Sequence, residues 1–361
     1  MSDDDRESAP LLLSRVSRPP SPGRKSIETA APPLAGVDWA TPHRAIQWLG
    51  RAGLLVSMML LLVAVFADLL AANLPIMCKV HGSVYLFPNL THPAELDALG
   101  PDGLEKQADW MLRPAVFHGP TLSPGAETTE PLRGPWALPG HPLGTDRFGN
   151  DVFARVVHGT RSYLVFALLA VLASLFLGAS LGAIAGSFGG PIATMVSRIV
   201  ESVSAFPPLV LVLGIQAAVP HATIFTLFLA IALTRWPEVA RLVRGEVLLA
   251  STREYAVAAR ALGASPFRIL RRPHMPTVRA SLVVVAAMGV SSVVLTEASL
   301  DFLRVGTPPG SASWGETMSQ FRDASESWWL LAFPGALLVI TIVSYNVMGE
   351  AIRNALDPRS R

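Results

Sequence analysis

Four titratable residues in one polar stretch have the side-chain types that metal binding or acid–base chemistry requires. They are His141, Asp146, Asp151 and His158. A structural role accounts for the same residues, because His141 and Asp146 flank a glycine turn and Asp151 can cap the helix that follows it. We favour the structural interpretation, and we predict neither a metal site nor a catalytic residue here.

A second pattern with catalytic potential lies in an apolar run, where Gly178, Ser180 and Gly182 form a Gly-x-Ser-x-Gly sequence. A serine nucleophile needs a nearby base, and we expect none of the eight histidines to lie within a membrane span. Gly178, Gly182 and Gly186 follow one another at four-residue spacing, which lets a neighbouring helix approach closely. The pattern therefore predicts helix packing, and an intramembrane serine hydrolase is the less favoured alternative.

Polar residues also occur inside the apolar runs. Glu297 is the strongest functional candidate among them, because a charged side chain at membrane depth is energetically costly. Glu201 and Asn346 are further polar residues of such runs. Asp301 and Arg304 are three residues apart, and we expect them to form an exposed ion pair.

The composition is that of an integral membrane protein. The chain has 361 residues, of which 51% are hydrophobic and 16% charged, and its mean hydropathy is +0.43. These values exclude an ordinary soluble enzyme. The net charge is only +2, so any functional charge must lie in its distribution along the chain. The single cysteine, Cys78, cannot form an internal disulfide.

Six apolar segments predict six transmembrane helices, since a span needs roughly 20 apolar residues. We expect an all-α integral membrane protein with a disordered cytoplasmic tail (1–45), a first transmembrane helix (46–72), a small extracytoplasmic insertion (73–159) and a five-helix core (160–361). Arg44 and Arg51 precede the first span, which places the N-terminus in the cytoplasm. Pro207 and Pro208 predict a kink in the third span.

A polar loop at 250–277 separates the fourth and fifth spans, and its sequence predicts two short helices joined by a turn. Ala256, Ala259 and Gly263 fall on one helical face and offer a small, flat surface to another protein. Gly263 is expected to end the first helix, Ser265 to cap the second, and Pro266 to occupy its first position. An excess of arginine over glutamate places the loop in the cytoplasm. Apolar spans on both sides disfavour a DNA-binding helix-turn-helix.

This loop resembles the "EAA" cytoplasmic loop of ABC-importer permease subunits. The resemblance rests on Ala258-Ala259, Gly263 and the Pro273-x-Met275-Pro276 ending, with Val257 in place of the usual Glu. Residues 141–164 resemble the HPLGTDxxGRDxxSRxxxGxR signature of the C-type subunit of dipeptide and oligopeptide importers. Residues 314–359 resemble the family's Ser-Trp-Gly loop and its C-terminal ending, and the insertion is similar to that of the Yej-type branch.

The resemblance implies a six-transmembrane-helix type I ABC importer permease in the bacterial inner membrane, with both termini in the cytoplasm. It implies peptide cargo, with nickel or another metal chelate as the alternative. The implied partners are a second, homologous permease, two ATP-binding subunits and an extracytoplasmic substrate-binding protein, and no nucleic acid. The chain has no GxxxxGK[ST] phosphate-binding loop, so ATP and Mg²⁺ are expected on the partner subunits and no cofactor on this chain.

The resemblance also assigns roles to individual residues. Those expected to contact the ATPase are Tyr255, Ala256, Ala258, Ala259, Gly263, Ala264, Ser265, Pro266, Arg268 and Pro276. Glu201, Glu297 and Asn346 are expected to line the translocation path or to form polar contacts within the membrane. A secondary transporter is an alternative, but it would need several intramembrane charges and inverted repeats, and Glu297 alone is thin support.

Overall fold

The computed structural model describes residues 42–121, 130–219, 223–269, 275–307 and 310–356. The first helix, α1 (Pro42–Val65), is followed after Phe66 by the short helix α2 (Ala67–Leu70). The predicted tail therefore lies outside the described residues except for its last few, which belong to α1. The first helix also ends before the predicted residue 72, because Phe66 has a non-helical conformation.

The insertion contains strands that the sequence analysis did not predict. Its elements are β1 (Met77–Val80), β2 (Ser83–Leu86), α3 (Pro88–Thr91), α4 (Ala94–Gln107) and β3 (Ala108–Leu112). The three strands form an antiparallel sheet in the order β2-β1-β3. The inner face of the sheet and α4 share a small core that includes Cys78, Leu96 and Leu104. The all-α prediction is thus wrong for this region, where the strands are too short to show a clear period.

The long helix α5 (Val152–Phe188) begins the membrane core, at 152 rather than at the predicted 160. Its start is set by Asp151, whose side chain accepts a hydrogen bond from the backbone N–H of Ala154 at 2.7 Å. Two helices follow, α6 (Gly190–Ser204) and α7 (Pro208–Ala218), and their axes differ by 86°. The break falls at the predicted kink, because a proline ring cannot continue the helical hydrogen bonds.

The remaining helices complete the core. They are α8 (Ile224–Ser251), α9 (Glu254–Ala261), α10 (Pro266–Ile269), α11 (Met275–Phe302), α12 (Trp314–Gln320) and α13 (Trp329–Leu356). Helix α5 packs against α8 and α11, and α1 packs against α13. The main hydrophobic cluster joins α5, α8, α11 and α12 through buried residues that include Tyr163, Leu227, Val293 and Trp314.

Within the described residues, four helical segments are long and apolar enough to cross a membrane. They are Trp48–Val65, Val152–Phe188, Val278–Phe302 and Trp329–Leu356. The bent pair α6–α7 makes a fifth when it is counted as one span. Helix α8 is not among them, because Arg235, Glu238 and Arg241 interrupt its apolar run. The structure confirms a mostly helical membrane protein, while the count of six spans stays a prediction.

Candidate functional site: the α9–α10 loop, the α5–α8 interface and the outer polar cluster

The loop between α8 and α11 consists of α9 and α10, and the turn between them is tightly defined. The N–H of Ala264 donates to the carbonyl of Ala259 at 3.0 Å, and the N–H of Gly263 donates to the carbonyl of Arg260 at 2.9 Å. Gly263 has a φ of +78°. This is a Schellman ending, in which glycine adopts the left-handed conformation without a steric penalty. The second helix starts as predicted, since Ser265 Oγ accepts from the N–H of Arg268 at 3.4 Å.

The loop exposes a different face from the one expected. Ala256 is fully buried against the rest of the chain, and Ala259 is half-buried. The exposed residues of α9 and the turn are larger and apolar: Tyr255 is 44%, Val257 54% and Leu262 89% exposed. Ala256 and Ala259 thus serve the packing of α9 on its own chain, and the face left exposed is the opposite, more apolar one.

The other residues expected to contact the ATPase are placed as follows. Ala258, Gly263, Ser265 and Arg268 are exposed, and Ala264 is half-buried. The side chains of Pro266 and Pro276, and residues 270–274 with Pro273, lie outside the described residues. Arg260 fastens α9 to the end of α8, because its guanidinium donates to the carbonyl of Ser251 and to that of Ala256.

Three glycines allow α5 to lie directly on α8. A β-carbon on Gly178 would overlap Val239, one on Gly182 would overlap the carbonyl of Ala240, and one on Gly186 would overlap Val247. The residue numbers rise together along both helices, so α5 and α8 run parallel. The described partners all belong to α8. Ser180, between two of these glycines, is exposed. His158 lies in the same helix, contrary to expectation, but 22 residues away, which is about 33 Å along a helix, so it cannot serve Ser180 as a base.

A buried arginine organises the opposite end of α5. Arg155 is fully buried and bonds to the segment before and within α12: its guanidinium donates to the carbonyl of Ser311 at 2.6 Å, to Thr317 Oγ1 at 3.2 Å and to the Glu316 carboxylate. Its Nε also lies 3.5 Å from the Asp146 carboxylate. We call Asp146, Arg155, Glu316, Thr317 and Gln320 the outer polar cluster.

The outer polar cluster is almost completely hydrogen-bonded. Asp146 accepts from the N–H groups of Phe148 and Asn150 at 2.8 and 2.9 Å, which closes the turn at 146–150. Gln320 Nε2 donates to the Glu316 carboxylate at 3.2 Å. Burial raises the pKa of the Glu316 carboxyl above its ordinary value, and Arg155 opposes this rise. The cluster thus joins two distant sequence motifs into one internal brace.

Asp301 belongs to a second buried group beside this cluster, so the predicted ion pair with Arg304 is wrong. Asp301 is 2% exposed and accepts from Tyr163 Oη at 2.8 Å, from the N–H of Thr307 at 2.7 Å and from Ser313. Arg304 instead pairs with Asp323 at the surface. The helix end between Asp301 and Arg304 explains this, because it turns the two side chains in different directions.

The remaining polar candidates lie apart from one another. Glu297 is 1% exposed, and its Oε2 has no hydrogen-bond partner among the described residues, so it faces the interior of this chain rather than an open path. Asn346 is exposed on α13 and accepts from Ser291 Oγ at 3.1 Å. Glu201 is exposed on α6 and pairs with Arg198 at 3.3 Å. The structure therefore does not bring these three residues together.

The histidine and aspartate pattern forms structural contacts. His141 Nδ1 lies 2.8 Å from Asp151 Oδ2, and both residues are buried. His158 Nε2 lies 2.7 Å from the carbonyl of Ala71. Among the described residues, no group of three or more His, Cys, Asp or Glu side chains could hold a metal ion. This arrangement supports packing and helix capping rather than chemistry.

Comparison with known proteins identifies the family. Residues 178–361 match the family of the binding-protein-dependent transport system inner membrane component. A putative peptide transport system permease of Brucella suis is 36% identical over 249 residues, which are 68% of this chain and 83% of that protein. The chain belongs to this family. It is therefore a multi-pass inner-membrane permease component, and neither the secondary transporter nor the serine hydrolase is favoured.

Other relatives agree with this membership. The oligopeptide transport system permease OppC of Bacillus subtilis is 35% identical over 61% of this chain and 72% of its own length. The di/tripeptide transport system permease DppC of Pseudomonas aeruginosa is 34% identical over 60% of this chain and 72% of its own. Among solved structures, the inward-facing MetNI methionine ABC transporter matches 57% of this chain and 97% of that chain, with 21% identity and a TM-score of 0.47.

Sequence reasoning missed the outer polar cluster and the Asp301 group. Arg155, Tyr163 and Ser313 lie within stretches that resemble the family, but a sequence spacing does not show that residues 138 to 161 positions apart meet in space. A signal was present nonetheless, because an arginine and a tyrosine in the first turns of an apolar helix need buried partners.

Proposed function

We propose that this chain forms one half of the translocation pathway of an ATP-driven peptide importer. The observation that carries the proposal is the apolar surface of α9 and its turn, held between α8 and α11 at the end of the core opposite the insertion. The names of the relatives, which include oligopeptide and di/tripeptide permeases, support peptides as the cargo.

The second half of the pathway would come from a homologous permease, and ATP would be hydrolysed by two separate subunits. A substrate-binding protein would deliver the peptide at the face that carries the insertion. The absence of a phosphate-binding loop in this sequence supports the division of labour. The arginine excess of the α9–α10 loop supports a cytoplasmic position for the loop and for both termini.

The contacts between helices indicate how a movement of the ATP-binding subunits would reach the far end of α5. A push on α9 would reach α8 through Arg260 and the buried Ala256. Helix α8 would pass it to α5, because the glycine contacts leave little room for sliding. At its far end α5 holds the loop before α12 through Arg155. The contacts form a continuous series from α9 through α8 and α5 to the loop before α12, and these elements would move as a unit.

The test is whether the exposed face of the turn binds the ATP-binding subunits. We expect Leu262→Asp to weaken association with the ATP-binding subunits by about tenfold or more, since a charge replaces an apolar contact at the centre of the surface. Leu262→Met is the matched control and should retain association. The measurement is co-purification from mild detergent, followed by ATP-dependent peptide uptake in proteoliposomes. Equal co-purification and uptake for the two variants would contradict the proposal.

A further inference from the structure

The sheet of the insertion has an apolar face that nothing in the described chain covers. Its inner face packs on α4, while its outer face carries two cross-strand rows, Leu86–Met77–Leu112 and Val84–Lys79–Trp110. Val84, Leu86, Trp110 and Leu112 are between 46% and 60% exposed. An antiparallel sheet that faces water normally has polar residues on that side, and a contiguous exposed apolar patch marks a contact surface.

One end of this sheet is tied to α2. The N–H of Ile76 donates to the carbonyl of Leu112 at 2.8 Å, and the N–H of Phe87 donates to the carbonyl of Ile76 at 2.9 Å. The chain after β3 returns to α2, where the N–H of Val116 donates to the carbonyl of Leu70 at 2.9 Å. The end that carries the Leu86–Met77–Leu112 row is therefore the end next to α2.

A further bond joins α3 to the same place, since Asn89 Nδ2 donates to the carbonyl of Asp68 at 2.8 Å. Helix α2 follows directly on α1, whose segment Trp48–Val65 is long and apolar enough to cross a membrane. The sheet is thus connected to the end of this segment, and the Leu86–Met77–Leu112 row is the row closest to it.

Polarity rises along the strands with distance from this end. Nearest to α2, the outer-face side chains Leu86 and Leu112 and the neighbouring Phe87 and Leu90 are apolar and between 47% and 60% exposed. Of the polar side chains exposed beside them, His92 pairs with Asp97 and Arg113 with Glu105 of α4, and Thr91 ends α3. The next row holds Trp110 beside Lys79, which forms an ion pair with Asp109 at 3.6 Å. The far end is the exposed turn His81–Ser83. A gradient along this axis is what a membrane–water interface favours, with Trp and Lys at the boundary.

We propose that the outer face of the sheet, with Phe87 and Leu90, is a membrane-surface anchor that enters the interfacial layer of the bilayer crossed by α1. The apolar row would lie among the lipid headgroups and upper acyl chains, and the turn at His81 would stay in water. A soluble partner would need an apolar patch, but it would not require polarity to rise with distance from the membrane. The proposal does not depend on which solute is transported or on how the ATP-binding subunits are coupled to the chain.

The test places a probe at three positions along β2, two on the outer face at Leu86 and Val84 and one beside the exposed turn at Ser83. Leu86→Cys, Val84→Cys and Ser83→Cys are each labelled with an environment-sensitive fluorophore, and Cys78 is retained because it is fully buried. The assembled transporter is placed in phosphatidylcholine–phosphatidylglycerol nanodiscs that contain a lipid with a shallow nitroxide quencher. We expect quenching at Leu86 to exceed that at Ser83 by about twofold or more, with Val84 between them.

Two outcomes would overturn the anchor. The first is quenching at Leu86 no stronger than at the Ser83 control. The second is an emission at Leu86 that is typical of water in nanodiscs and shifts to the blue only when the soluble binding protein is added, which would make the surface a protein interface. A labelled Leu112→Cys variant, on the opposite edge strand, repeats the measurement independently and should match Leu86.

Discussion

The two ends of the α5–α8 helix pair are built in opposite ways. At one end, α9 and its turn expose Val257 and Leu262. At the other end, Arg155 is fully buried, and its guanidinium bonds to carbonyl, hydroxyl and carboxylate groups. The comparison teaches that the first end has an apolar surface left open, which the proposed function assigns to another protein, whereas the polar groups of the second end are satisfied within the chain.

The largest effect is expected from replacing the buried Arg155, which tests whether this end of the helix pair is stabilised from within the chain. We expect Arg155→Met to destabilise the protein by about 3–5 kcal/mol, because it leaves the carboxylates of Asp146 and Glu316 buried without their cation. The thermal midpoint of the purified protein in detergent measures the effect. Arg147→Met is the matched control, since Arg147 forms an exposed ion pair with Asp323, and its loss should cost about 0–1 kcal/mol.

Similar thermal midpoints for the Arg155 and Arg147 variants would show that the outer polar cluster does not stabilise the fold. Normal stability with lost transport for Arg155→Met would instead give the cluster a direct functional role, and it would make the two ends of the helix pair alike.

A second substitution tests the close α5–α8 contact that lies between the two ends. We expect Gly182→Ala to destabilise the protein by about 1–3 kcal/mol, because the new β-carbon would overlap the Ala240 carbonyl. Gly245→Ala, in the same helix pair, meets no described atom within 4 Å and should stabilise α8 by up to about 1 kcal/mol. Thermal midpoints of both variants give the comparison. Equal shifts in the same direction would mean that the α5–α8 contact is loose.

The smallest effect concerns the pH dependence of the exposed ion pair of Asp323. Hydrogen bonding from Arg304, with the nearby charges of Arg147 and Arg322, holds the pKa of the Asp323 carboxyl below its ordinary value of 3.8. A depressed folded pKa means that this stabilisation is present above 3.8 and is lost as the pH falls through the lower, folded value.

Asp323→Asn should therefore reduce the fall of the thermal midpoint as the pH drops below that value. The thermal midpoint at neutral pH should stay nearly unchanged, because the pair is exposed. An identical pH dependence of the thermal midpoint for Asp323→Asn and the unsubstituted protein would show that this surface pair contributes nothing, in contrast with the buried Arg155.

Local features of the fold could be predicted from the sequence. The ending of α9 at Gly263, the cap at Ser265, the cap of α5 at Asp151 and the break at Pro207 all depend on residues within one or two turns of each other. Glycine, proline and short polar side chains act directly on the backbone next to them. Such signals do not require knowledge of the tertiary structure.

Long-range features could not be predicted in the same way. Nothing in the spacing of Arg155 and Glu316 shows that they meet, and the inward turn of Ala256 depends on the packing of α9 against the chain. The strands of the insertion have four or five residues each, and their two faces are both rich in apolar side chains. The alternation that would identify a half-buried strand is therefore absent.

The sharp angle between α6 and α7 constrains what can surround it. A helix end leaves its last carbonyls, and the next helix its first N–H groups, without intrahelical partners, and hydrocarbon offers them none. If the pair crosses the bilayer as one span, the flank of the subunit at Phe206 and Pro207 must be solvated or sealed by another polypeptide. Lipid tails are excluded from that flank by the cost of dehydrating the peptide groups.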